Sequence, residues 1–180
     1  TPTETPRGVG VHPHRGFETV TIAFKGSVAH HDSAGNSGII GEGDVQWMTA
    51  GSGLLHKEYH EKEFSKKGGF FQMVQLWVNL PAKYKMTPPK YQEITHAIMG
   101  KYELPGNKGV VEVIAGEFNI PDGSGKVVKG PASTFTPLHM YNLRLKKDAR
   151  VELGFPENYN TGILVVEGSG IINQKNVPTD

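Results

Sequence analysis

Short runs rich in Val, Ile, Phe, Tyr and Trp are separated every few residues by Gly- and Pro-bearing turns along the whole chain. This pattern predicts many short strands. Residues 17–24 show it most clearly: Phe17, Thr19, Thr21 and Ala23 alternate with Glu18, Val20, Ile22 and Phe24 up to a turn at Gly26. Further strands are expected at 27–31, 38–40, 45–49 and 54–60, each closed by a turn such as Gly41-Glu42-Gly43-Asp44 or Gly51-Ser52-Gly53. A solvated stretch, 61–69, precedes the most apolar strand at 70–80. No segment has convincing 3.6-residue periodicity, and strands recurring at this interval argue a barrel or a sandwich.

A connector rich in Pro and Lys follows at 81–89, and residues 91–96 lead towards a second strand-rich part. Its expected strands lie at 110–117, 137–145, 149–155 and 162–172. The stretch 153–170 loosely repeats the plan of 12–26, strand, turn, apolar strand, then Gly, without the imidazoles. The expected organisation is a metal-binding barrel over 1–96 and a second, metal-free barrel begun over 97–180. Too few strands remain before Asp180 to close the second one, so a fragment is expected.

The charge balance changes this picture only by exclusion. Lys plus Arg number 19 and Asp plus Glu 18 in 180 residues, so no overall field attracts nucleic acid or an anionic membrane. There is no cysteine, which removes disulfides and thiol nucleophiles and suits a reducing compartment; cytoplasm is the expected location. No apolar run reaches the roughly 18 residues of a membrane span, and Thr1-Pro2-Thr3-Glu4 lacks a signal-peptide pattern. Neither a Gly-x-Ser-x-Gly elbow nor a Gly-x-Gly-x-x-Gly turn occurs, so serine-nucleophile and dinucleotide chemistry are not expected.

Two pairs carry the candidate chemistry: His12-Pro13-His14 and His56-Lys57-Glu58. Residues i and i+2 of a strand share a face, roughly 6 to 7 Å apart. Two such strands facing each other across a barrel would offer three imidazoles and one carboxylate to a single ion. This donor set suits Fe, Mn, Ni, Cu or Zn. Spacing alone favours two solvent-facing strands over a metal site. His60 shares the face of Glu58 and reads as a rim residue, while His30, His31, His96 and His139 have no ligand-spaced partner and read as polar strand or loop residues. Trp47, Met48, Phe71, Met73 and Trp77 are either core or the wall of an aromatic-binding pocket, divided between faces by alternation. Gln46 and Gln75 are candidates to orient a ligand. Lys57, Lys62, Lys66 and Lys67 read as a solvated rim.

Four blocks in order, residues 12–19 (HPHRGFET), 46–51 (QWMTAG), His56-x-Glu58 and 75–80 (QLWVNL), resemble the pirin family of the cupin superfamily. The resemblance implies an all-β fold, a double-stranded β-helix (cupin) barrel repeated as a bicupin, here with the second barrel truncated. It further implies one metal, usually iron, in the first barrel, held by His12, His14, His56 and Glu58. The general cupin pattern would instead use a carboxylate at the position of Glu18; the pirin pattern favours Glu58. Pirins are associated with quercetin 2,3-dioxygenase activity and, in animals, with binding transcription regulators. The implied function is therefore an oxidoreductase that cleaves a flavonol-like aromatic substrate with O2, Glu58 serving as catalytic base. The alternative is a metal-containing module that contacts a regulatory protein without turnover.

Overall fold

The computed structural model describes residues 1–178. Eight strands build the first half: β1 (Gly8–His14), β2 (Phe17–Lys25), β3 (Val28–Asp32), β4 (Ser37–Ile40), β5 (Val45–Thr49), β6 (Leu54–His60), β7 (Gln72–Asn79) and β8 (Lys90–Ile94). They form two antiparallel four-stranded sheets, ordered β1-β6-β3-β4 and β7-β2-β5-β8. The sheets touch through side chains from both, such as Gln75 on Glu58 and His30 on Tyr91. This is the double-stranded β-helix expected of a cupin.

Alternation along the strands assigns opposite jobs to the two faces of the second sheet. On β2 and β5, Val20, Ile22, Val45 and Trp47 point outward and pack with Ile94, Met99, Ile114 and Ala115 in the largest apolar cluster. That cluster lies between the first half and the strands that follow it. The inward positions Thr19, Thr21, Gln46 and Gln75 are polar, with small apolar groups only around Ala23, Val28 and Ile40 and around Met48, Ala50 and Leu54. The barrel is thus stabilised mainly from outside, about 1.5–3 kcal/mol for each large side chain buried. Its interior is left free to be polar.

The second half contains β9 (Gly100–Glu103), β10 (Gly109–Ala115) and β13 (Met140–Leu145) as one sheet, ordered β13-β10-β9. Two hairpins accompany it: β11 (Glu117–Asn119) with β12 (Val127–Lys129), and β14 (Gly170–Ile172) with β15 (Lys175–Val177).

Three sequence expectations are corrected. Part of the solvated stretch is a helix, α1 (Lys62–Lys67), whose N-cap Glu61 accepts from the Phe64 amide at 2.8 Å. At six residues it is too short to display a period. The segment expected to lead into the second part supplies β8, which pairs with β5 and completes a sheet of the first half. Residues 149–155 form no strand, and of 162–172 only the last three do; Val151 and Leu153 still pack on the Leu104–Val111–Val113–Phe118 cluster. Among the described residues no helix is long and apolar enough to cross a membrane.

Candidate metal centre

β1 and β6 are adjacent, antiparallel neighbours in which His12 stands directly opposite His56 and His14 opposite Leu54. The two ligand-spaced pairs therefore share one sheet and do not face each other across the barrel. Adjacency brings the imidazoles closer than facing walls would. Ring centroids are 4.4 Å apart for His12 and His56, 4.7 Å for His12 and His14, and 4.6 Å for His14 and His56. One nitrogen from each of the three rings lies within 4.8 Å of the others. His14 and His56 are buried and His12 is half-buried.

Hydrogen bonding orients the cluster. A bulge between Val9 and His12 interrupts the ladder, and the Gly10 carbonyl lies 2.7 Å from His12 Nδ1. A carbonyl only accepts, so Nδ1 carries the proton and Nε2 of the neutral ring keeps its lone pair. That Nε2 lies 2.8 Å from His56 Nε2. His14 Nε2 and His56 Nδ1 are buried without a hydrogen-bond partner. If His56 donates from Nε2, its Nδ1 lone pair is stranded; if it carries the proton on Nδ1, two lone pairs face each other. A shared cation relieves this conflict, and two imidazole nitrogens at neighbouring positions of one ion, each about 2.0–2.1 Å from it, stand about 3 Å apart. The residues present fit a transition metal.

Burial, reinforced by His14, His12 and His30, depresses His56 to about 4. Burial and the neighbouring His12 also lower His14. Both rings are thus kept as neutral donors at ordinary pH, the form that binds a metal.

Glu58 follows His56 on the same strand face and is buried. Its carboxylate accepts from Gln75 Nε2 at 2.9 and 3.2 Å, and the same amide donates to Thr21 Oγ1 at 3.0 Å. Burial raises its pKa, with the Gln75 bonds and the charge of His12 pulling the other way. Glu58 lies outside the tight trio of nitrogens. Glu18 takes the opposite direction. It sits on the outward face of β2 with Val20 and Ile22, fully buried, where its Oε1 accepts from Thr49 Oγ1 at 2.6 Å. The carboxylate on the histidine side is Glu58.

Of the other candidates, Gln75 contacts Glu58 directly, whereas Gln46 is buried inside the barrel with its Nε2 unpartnered. Trp77 (68% exposed) and Phe17 stand beside His14, with ring centroids 5.8 and 5.0 Å from it. Trp47 and Met48 are core, and Phe71 and Met73 pack around Ala23, Val28 and Ile40. His60 packs on Phe71 and Phe64. Lys62, Lys66 and Lys67 decorate α1. His96 binds Glu112 at 2.7 Å, His139 lies against Tyr141, and His31 is exposed. His30 departs from its sequence reading: it is buried, stands opposite Glu58 in the ladder and stacks on Tyr91 at 5.1 Å. Its i, i+2 relation to Asp32, opposite His56, was the available signal.

A family model described as Pirin matches residues 2–78. A Pseudomonas aeruginosa relative is 47% identical over 168 residues, which cover 93% of this chain and 56% of that protein. Pirin-like protein 2 of Arabidopsis thaliana is 38% identical over 174 residues, covering 95% of this chain and 50% of its own length. The crystal structure of a quercetin 2,3-dioxygenase from Acinetobacter baumannii superimposes with a TM-score of 0.90 at 47% identity, over 99% of this chain and 60% of that one. The chain spans about half the length of the curated relatives it matches.

Proposed function

The chain belongs to the pirin family, and from that premise we propose that residues 1–96 form the metal-binding, catalytic barrel of an oxidoreductase that cleaves a flavonol-like substrate with O2, residues 97–180 beginning a metal-free second barrel. The observation that carries the reading is the trio of imidazoles, His14 and His56 buried and His12 half-buried, with Glu58 on the same strand face as His56. The likeness to a quercetin 2,3-dioxygenase at 47% identity supplies the reaction class.

His12, His14, His56 and Glu58 would hold the ion, Fe(II) first among Fe, Mn, Ni, Cu and Zn. When bound, the ion supplies a Lewis acid for the substrate's hydroxyl and oxo oxygens and a place for oxygen. The chain's own residues do the rest. Beside His14, the exposed Trp77 and its neighbour Phe17 offer aromatic surface for the substrate rings. Glu58, made more basic by burial, accepts the enol proton. Gln75, itself held by Thr21, fixes the carboxylate in place while it does so.

The test is metal analysis joined to oxygen uptake with a panel of flavonols. We expect one metal per chain and oxygen consumption that requires both flavonol and metal. Bound metal with no oxygen uptake on any flavonol would reject the oxygenase and leave the regulatory, protein-contacting module as the reading.

A further inference from the structure

Three side chains of β7 alternate onto the histidine side of the sheet, and two of them have neighbours already described: Gln75 donates to Glu58, and Trp77 stands against His14. The third is Asn79. Its ladder partner is Phe17, whose ring packs on both His14 and Trp77, and its Oδ1 accepts from Lys85 Nζ at 2.7 Å. Each step along this face is roughly 6 to 7 Å. Glu58 and the Lys85 ammonium thus stand at opposite ends of the Trp77–Phe17 surface.

Lys85 is held there by neutral groups. It follows a short helical turn at Ala82–Tyr84, is half-buried, and donates a second bond to the Gly16 carbonyl at 3.0 Å. Among the described residues no carboxylate pairs with it. An ammonium has three N–H donors, so one is left over. Arg15, on the same β1–β2 turn, is exposed and also without an ion pair; it donates to Met86 Sδ at 3.5 Å. The turn therefore carries two uncompensated positive charges. A fixed, unpaired cation at the edge of a Trp ring left 68% exposed offers both halves of a site for an aromatic anion.

We infer that Lys85 is a specificity-determining residue: it pairs with an anionic oxygen at the end of the ligand away from Glu58, so that acidic aromatics are taken in preference to neutral ones. The inference rests on the proposed seat of the substrate rings at Trp77 and Phe17. The ring-cleaving reaction does not enter it.

Two probes of one shape separate charge from fit: 2-naphthalenesulfonate, an anion that coordinates metals weakly, and 2-naphthyl methyl sulfone, its neutral counterpart. Calorimetric titration of the metal-loaded chain should find the sulfonate bound about tenfold more tightly, the worth of one hydrogen bond to a charged group. By NMR it should move the indole N–H resonance of Trp77 and not that of the fully buried Trp47. Lys85→Met should abolish the preference and leave the sulfone affinity unchanged, Lys85→Arg should retain the preference, and Trp77→Ala should weaken both probes. A brace for the turn would behave differently. If Lys85→Met weakens both probes alike, the inference is overturned, as it is by equal affinities in the unaltered chain, by no saturable binding of the sulfonate, or by an unmoved Trp77 resonance. Oxygen uptake reports separately: charge preference without uptake on any flavonol upholds Lys85 and rejects the dioxygenase, and uptake without charge preference does the reverse.

Discussion

His12 and His56 occupy directly opposed positions on neighbouring strands, with their Nε2 atoms 2.8 Å apart. The ladder itself sets this separation, and the i, i+2 spacing puts His14 on the same face as His12.

The first prediction follows from that arrangement. His14→Ala or His56→Ala should lower metal affinity by more than the 10- to 100-fold expected for a residue that only orients a ligand. Both variants should remain folded, because the largest apolar cluster lies on the other face of β2 and β5. Metal content by mass spectrometry, with thermal unfolding as the control, reads both effects. Undiminished metal in both variants would remove the site from this location.

Gln75 should matter to metal binding in a way that Gln46 does not. Gln75 spends its amide on Glu58 and Thr21, so Gln75→Leu frees the carboxylate to rotate and should cost roughly 10- to 100-fold in metal affinity. Gln46 makes no such contact, and Gln46→Leu should leave metal affinity within about twofold. Equal losses in the two variants would show that interior polarity in general is what counts.

The pH dependence of the metal-free chain has a defined sign. His56 and His30 are depressed from 6.5 to about 4 by burial, so between those values the unfolded chain binds protons that the folded one refuses. Stability therefore falls as pH drops from about 6.5 towards 4. Glu58 acts in the opposite sense: its carboxyl is raised, so the folded chain keeps that proton to higher pH than the unfolded chain does. Its raised pKa offsets part of the loss just above 4.5. Urea midpoints at pH 7 and pH 5 should show the fall, and His30→Gln should show a smaller one. An identical fall in the variant would mean that His30 titrates normally in the folded chain.

Alternation and turn residues made β5 and β6 legible to the residue: glycine turns bound β5 on both sides and precede β6. The i, i+2 histidines were legible for the same reason: a strand has only two faces. Strand adjacency was not, since pairing order depends on contacts distant in sequence, and β1 finds β6 rather than an opposite wall. The expected strand at 149–155 has the right alternation, but alternation marks a buried face and not a ladder partner; Val151 and Leu153 bury that face without one. His30 was missed because its neighbours come from other strands, Glu58 on β6 and Tyr91 on β8.

The choice between the two carboxylates makes the sharpest prediction. Glu58→Gln keeps the shape and the oxygen that can coordinate, but removes the charge that balances a divalent ion and the basic group that accepts the substrate proton. Metal affinity should fall at least tenfold, and flavonol-dependent oxygen uptake should fall further than binding does. Glu18→Gln alters a side chain on the outward face of β2, where Thr49 donates to it at 2.6 Å among Val20, Ile22 and Trp47. An amide there still offers an oxygen to Thr49 but buries two new N–H donors, so the effect should appear as a loss of stability of about 1–3 kcal/mol with metal content unchanged. The two variants thus separate along different axes, metal titration for one and thermal unfolding for the other. If Glu18→Gln empties the site and Glu58→Gln keeps it full, β2 must present Glu18 to the interior in the working protein, and the ligand set proposed here is wrong.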